Sequence, residues 1–286
     1  MNIASIISKV RQRLRLRLYH LLDSLYLPLD RTHLRRTRNI RLIPRDRNRT
    51  GGKYAYAEWA HVIGVFQTLM FLQLAKKENN AILDVGCGAG LLAIASEPFL
   101  GPAGKYTGID VVSRDIDFCR RHYPAANFEF IHFDVGNPLY AQAQGAAQLP
   151  WPVESGSIDL TTALSVWTHL NEEDALFYFG EIGRVLKPGG KAIVTLFVLD
   201  ETYRNSLGLR SAQEGRFHTT SQELWVFSES AYGSDAWLHP KWATCPEHAI
   251  GVTEAGLERL VADSGMKLID RLQGNWKEVP GAFFQD

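Results

Sequence analysis

The chain has 286 residues, 45% of them hydrophobic, with 31 basic and 31 acidic side chains. That is enough for one large α/β domain with an appendage, and it sets a globular enzyme as the default class. Cys87, Cys119 and Cys245 form no CxxC pair, which argues against a zinc site or a disulfide framework and for a reduced, cytoplasmic setting; the longest apolar run, "VIGVFQTLMFLQLA", falls short of the ~18 residues that span a bilayer.

The balanced charge hides an asymmetry. Residues 1–53 hold 14 Lys and Arg against three Asp, a net of +11, which leaves −11 for the remainder. Within this basic arm Ile3, Ile7, Val10, Leu14, Leu18, Leu21 and Leu25 recur at spacings of three and four, so they share one helical face, with Arg11, Arg13, Arg15 and Arg17 mostly turned away. The arm has no secretory cleavage site. Its pattern suits either peripheral contact with an anionic membrane surface or a helix docked on protein. It lacks the interleaved aromatics that stack bases, which argues against nucleic acid.

After the polar linker "RDRNRTGG", a helix is expected over "YAYAEWAHVIGVFQTLMFLQLAKK". Strand and helix signals then alternate: strands at 81–85, 105–110, 127–133, 157–164 and 191–199, helices at 91–99, 113–122 and 171–186. Alternation of this kind predicts a parallel sheet covered by helices. Asn171 is placed to cap its helix, Glu172, Glu173 and Asp174 suit the positive end, and "KPGG" stops it. A helix at 253–264 and short strand signals at 267–272 and 282–284 close the chain. Residues 200–250 fit no element and are rich in Tyr, Phe and Trp, which suggests an inserted substrate cap on the sheet's working edge.

The stretch "ILDVGCGAG" sets Gly86, Gly88 and Gly90 in the first strand-to-helix turn. In an open parallel sheet this turn is the closest backbone approach to a nucleotide-like ligand, and Asp110, ending the next strand, is placed to hold ribose. The glycines are not spaced as GxGxxG, since Leu91 stands where the third glycine should be. Asp84, just ahead of the turn, would repel a diphosphate and suits a cationic ligand. A nicotinamide-dependent oxidoreductase is therefore disfavoured.

With "YTGID", "FIHFDVGN", "LPWPVESGSIDL" and "VLKPGG" following in order, the chain from about Tyr54 onward resembles the class I S-adenosylmethionine-dependent methyltransferases. The resemblance implies a domain over residues 54–286 with a Rossmann-like, doubly wound, seven-stranded, mostly parallel sheet whose last strand is antiparallel and short. It implies S-adenosyl-L-methionine as cofactor, held by Asp84, Gly86, Cys87, Gly88, Gly90, Asp110, Val111, Asp134, Val135 and Ser165. In that set Asp84 takes the amino group, Asp110 the ribose, Asp134 with the Val135 backbone the adenine, and Ser165 lines the sulfonium wall.

Cys87 is assigned no side-chain chemistry. His169 in "VWTHL" stands where a general base would serve a hydroxyl acceptor, and reads equally as a loop histidine beside the helix at Asn171. Trp167 and Trp59 are candidate walls of the acceptor pocket, and Glu58 and His61 lie at its entrance. The expected activity is methyl transfer to oxygen, less so nitrogen or carbon, of a small-molecule, glycan or lipid-linked acceptor. A cofactor-binding scaffold without catalysis is the non-enzyme alternative. Between Asp134 and Leu149 a lip longer than the family's usual loop is expected over the cofactor.

Overall fold

The structure, a computed structural model, describes residues 14–19, 21, 22, 25, 40–50, 53–136, 139 and 148–286. Most of the basic arm and of the expected lip lie outside these residues. Within the arm, residues 14–19 are helical, and Leu14, Leu18, Leu21 and Leu25 are exposed.

Five strands form the central sheet: β1 (Ala81–Val85), β2 (Lys105–Asp110), β3 (Phe128–His132), β4 (Ile158–Ala163) and β5 (Leu186–Val194). Their order is β3-β2-β1-β4-β5, and every pairing is parallel. The middle strands β1 and β2 are buried on both faces along nearly their whole length, Asp84, Thr107 and Asp110 included. Helices α1 (Tyr56–Gln73), α2 (Leu91–Ser96), α3 (Ser113–His122) and α4 (Glu172–Val185) connect or cover them. Helix α1 buries Trp59, Val62, Ile63, Phe66 and Met70 on the domain, each contributing about 1.5–3 kcal/mol against exposure. Helix α4 begins as its residues dictate: the Asn171 side chain accepts from the Asp174 amide at 3.0 Å.

Three expectations need correction. First, the strand expected at 191–199 is two strands. The "KPGG" segment bulges out of β5, since Ile158 pairs with Leu186 but Leu160 pairs with Lys191, and Gly189 supplies the positive φ that the bulge requires. The chain then leaves the sheet at Thr195, and β6 (Phe197–Leu199) belongs elsewhere.

Second, residues 200–250 are not loop-like throughout. Strands β6, β7 (Phe227–Ser230), β8 (Trp237–Pro240) and β9 (Gly251–Thr253) form a second sheet in the order β6-β9-β8-β7. Helices α5 (Glu201–Ser206) and α6 (Glu254–Asp263) accompany it. Phe197, Tyr203, Phe227 and Trp276 pack there as a separate aromatic core.

Third, the central sheet has five strands among the described residues, not seven. Segment 267–272 leaves Leu268, Ile269 and Leu272 exposed and pairs with no strand. The expected antiparallel last strand reduces to one pair, in which Leu196 and Asp286 exchange both backbone hydrogen bonds. The sheet edge it would have covered is left when the chain departs at Thr195 to build the second sheet.

Candidate functional site

The carboxyl ends of β1, β2 and β4 share one edge, and a cavity of about 860 Å³ opens there. Its wall includes Asp84, Gly86, Cys87, Gly88, Asp110, Val111, Val135, Ser165, Trp167, His169 and Trp59. Sequence reasoning had placed these residues in one site, and the fold brings them together. Gly90 and Asp134 stand just outside the wall, Gly90 as the residue entering α2 and Asp134 exposed. His61 is exposed on α1, and no residue of 200–250 lines the cavity.

The glycine turn is held mostly by protein. All three glycines have positive φ, 68° at Gly86, 49° at Gly88 and 84° at Gly90. A side chain on Gly86 would come within 2.5 Å of Val166, and one on Gly90 within 2.5 Å of the Tyr123 ring. At Gly88 the nearest atom would be Thr50 Oγ1 at 3.5 Å, so this glycine opens towards the cavity. Tyr123 donates its hydroxyl to the carbonyls of Ala89 and Gly90 at 2.9 and 3.0 Å, while Asp110 takes the Gly88 amide at 2.7 Å and the Val112 amide at 2.8 Å.

Asp84 is almost wholly buried. Parallel register sets Thr162 beside it, and the Thr162 hydroxyl donates to Oδ1 at 2.8 Å while Tyr106 donates to Oδ2 at 2.6 Å. Burial pushes its carboxyl up to about 7, against the pull of these two donors. Burial likewise raises Asp110, opposed by its backbone donors. Cys87 is buried and its thiol is pushed well up, so it carries no nucleophile.

Ser165 follows β4 in the left-handed region, φ 59°, a costly backbone for a side-chain-bearing residue. Its amide donates to Thr195 Oγ1 at 2.8 Å, and its hydroxyl to Gln285 Oε1 at 2.9 Å. Thr195 donates to the same Gln285 oxygen at 2.6 Å. At His169, Nδ1 donates to the Glu247 carbonyl at 2.6 Å, which makes Nε2 the basic nitrogen of the neutral ring. Burial lowers its pKa, so the neutral form prevails at pH 7.

Sequence reasoning missed several wall residues. Trp151 and Tyr178 stack at 5.8 Å with planes 8° apart, and Trp151 is fixed because its amide donates to Glu181 while Arg184 donates to its carbonyl. Trp151 lies inside the quoted "LPWPVESGSIDL" and could have been noticed there. Nothing in the sequence signals Lys53 on this wall, or Gln285 as the partner of Ser165.

The residues present fit a cationic adenosyl ligand. Gly88 leaves a cradle that a side chain would fill, and Asp84, Asp110, Asp115 and Asp174 make the wall acidic. Residues 82–190 match the family described as Methyltransferase domain. A fatty-acid O-methyltransferase of Mycolicibacterium smegmatis is 35% identical over 121 residues, 42% of this chain and 38% of that one. A demethylmenaquinone methyltransferase of Symbiobacterium thermophilum is 33% identical over 118 residues, 41% of this chain and 42% of that one. The chain thus spans about two fifths of the length of these relatives. Among solved structures, geranyl diphosphate C-methyltransferase from Streptomyces coelicolor A3(2) has a TM-score of 0.44 at 16% identity, covering 73% of this chain and 63% of that one. Residues 82–190 of this chain thus match a methyltransferase domain, and the relatives similar to it in sequence are methyltransferases.

Proposed function

We propose that the protein is a methyltransferase that uses S-adenosyl-L-methionine to methylate an oxygen of a small-molecule or lipid-type acceptor. The observation that carries this reading is one cavity with a glycine turn and Asp110 among its walls and the basic nitrogen of His169 on another wall. When bound, the cofactor supplies an electrophilic methyl group on a sulfonium that departs as a neutral thioether. Asp110 accepts from ribose with the lone pairs its backbone donors leave. Asp84 faces the amino group, and Ser165 fixes the wall beside the reacting centre. His169 Nε2 takes the proton of a hydroxyl acceptor, and the remaining contribution of the chain is to align the acceptor and keep water out.

The acceptor class follows from wall chemistry together with the relatives. Trp59, Trp151, Trp167, Phe133 and Tyr178 offer flat apolar surface, and the relatives are named for fatty acids and demethylmenaquinone. Both are acceptors with a long apolar part. The basic arm suits the same reading, because Leu14, Leu18, Leu21 and Leu25 stay exposed on a helical stretch next to Arg15 and Arg17. Such a face meets an anionic membrane, where lipid-type acceptors reside. Among the described residues no helix is long and apolar enough to cross a membrane.

The test is incubation of the full chain with tritium-labelled S-adenosylmethionine and a panel of fatty acids, quinols and glycolipids. Label is expected in the organic phase with one class. Tight cofactor binding with no labelled product from any class would favour a scaffold, and binding of NAD in its place would overturn the reading.

A further inference from the structure

We propose that Thr50 is a cofactor-binding residue, its hydroxyl bonding an oxygen of the adenosyl ligand where that ligand lies against Gly88. The proposal deepens the methyltransferase reading and rests on it.

From sequence the stretch before α1 reads as a polar linker, yet residues 40–50 form a strap docked on the domain. Ile43 is buried in the core shared by α1 and α2, with Ile40 and Leu42 packed against it. The Leu42 carbonyl accepts from His122 Nε2 at 2.6 Å, which fastens the strap to the end of α3. Arg49, also buried, closes the strap on itself: Nε donates to the Pro44 carbonyl and Nη1 to the Tyr54 carbonyl, each at 2.8 Å. A guanidinium's rigid fork fixes direction as well as contact. The next residue, Thr50, is thereby held beside the glycine turn.

Thr50 is half-buried and lines the cavity, with Oγ1 3.5 Å from the point where a Gly88 side chain would begin. Among the described residues its hydroxyl has no hydrogen-bond partner. Gly88 itself leaves a ligand little to bond: its amide donates to Asp110 at 2.7 Å, and its carbonyl accepts from Cys119 Sγ at 3.3 Å. The floor of the cradle has thus committed its backbone to the protein, and the Thr50 hydroxyl beside it supplies the polar contact. A ligand oxygen taken out of water there must recover its lost hydrogen bonds from the protein. The carboxylate of the cofactor's amino-acid portion and the ribose oxygens both qualify, and a hydroxyl, which donates and accepts, serves either. Thr50 lies outside residues 82–190, the span that matches the family, so the family pattern does not assign it.

Calorimetric titration of the full chain with S-adenosylhomocysteine tests this. Thr50→Val removes the hydroxyl and keeps the branched side chain. It should weaken S-adenosylhomocysteine by about 3- to 30-fold at an unchanged melting temperature, and Thr50→Ser should restore the wild-type affinity. 5′-Methylthioadenosine, which lacks the amino-acid portion, locates the contact. Loss confined to S-adenosylhomocysteine assigns it to that carboxylate, and equal loss with both ligands assigns it to the ribose. Should Thr50→Val fail to fold, Thr50→Ala serves in its place. Unchanged affinity, or a loss that Thr50→Ser does not restore, would overturn the proposal. A wild-type chain that binds neither ligand removes the methyltransferase reading itself, and this proposal with it.

Discussion

The amide of Gly88 donates to Asp110 at 2.7 Å, so the acid that ends β2 also holds the middle glycine of the turn after β1. On the proposed reading, ribose binding and loop shape depend on one carboxylate. Asp110→Ala should weaken S-adenosylhomocysteine by at least about tenfold and lower the melting temperature without abolishing the fold. Calorimetry and thermal melts check both, and unchanged affinity would refute the ribose role.

The second prediction concerns Asp84. Its carboxyl titrates near 7 in the native state against 3.8 as the ordinary value. Between these values the native state holds a proton that the unfolded chain has lost, so stability falls as pH rises from about 4 to 7. Up to about 4 kcal/mol is at stake. Urea unfolding at pH 5 and pH 8 should show this slope, raised burial of Asp110 should add to it, and Asp84→Asn should flatten it. A cationic ligand reverses the penalty, so cofactor affinity should rise through the same pH window.

Substitutions in the glycine turn should separate packing from ligand approach. Gly90→Ala drives a methyl into Tyr123 at a positive φ, and should destabilise by about 2 kcal/mol or more. Gly88→Ala meets only Thr50 at 3.5 Å. It should cost about 1 kcal/mol of backbone strain and act chiefly on cofactor affinity. Equal melting temperatures for the two variants would contradict this division.

His169→Gln distinguishes acceptor chemistries. For a hydroxyl acceptor kcat should fall by about 10²-fold or more, and the wild-type rate should drop on acidification, below the ordinary histidine range because burial lowers this pKa, as Nε2 is protonated. A carboxylate acceptor has no proton to lose, so the same variant should leave its kcat nearly unchanged. Steady-state kinetics across pH 5–8 decide between them.

For the basic arm, Leu18→Asp combined with Leu21→Asp should release the protein from sedimenting phosphatidylserine vesicles while leaving cofactor affinity intact. A wild-type chain that never sediments with such vesicles would assign the arm to protein docking.

Local signals carried the first half of the domain. Strand β1 covers Ala81–Val85 as expected, Asn171 caps α4 as its residue type dictates, and Ser113 and His122 bound α3 as predicted. What was illegible depends on partners far away in the chain. The "KPGG" segment reads as a helix stop, and that it bulges from β5 follows from pairing with β4. Aromatic residues between 200 and 250 look like a ligand surface in one dimension. Tyr203 and Phe227 meet Phe197 and Trp276 in a core of their own, which no local pattern announces. The glycines were legible as a turn, yet two of the three are required by Val166 and Tyr123 rather than by a ligand.

The two ends of the cavity close over very different stretches of chain. Gly88 reaches Asp110 across 22 residues and Ala89 reaches Tyr123 across 34, whereas Ser165 is secured by Gln285 across 120. Chain entropy makes the longest closure dearer than the shortest by about 1.5 kcal/mol. In a refolding chain the glycine-turn side of the cavity is therefore expected to form before the Ser165–Gln285 contact on the other side.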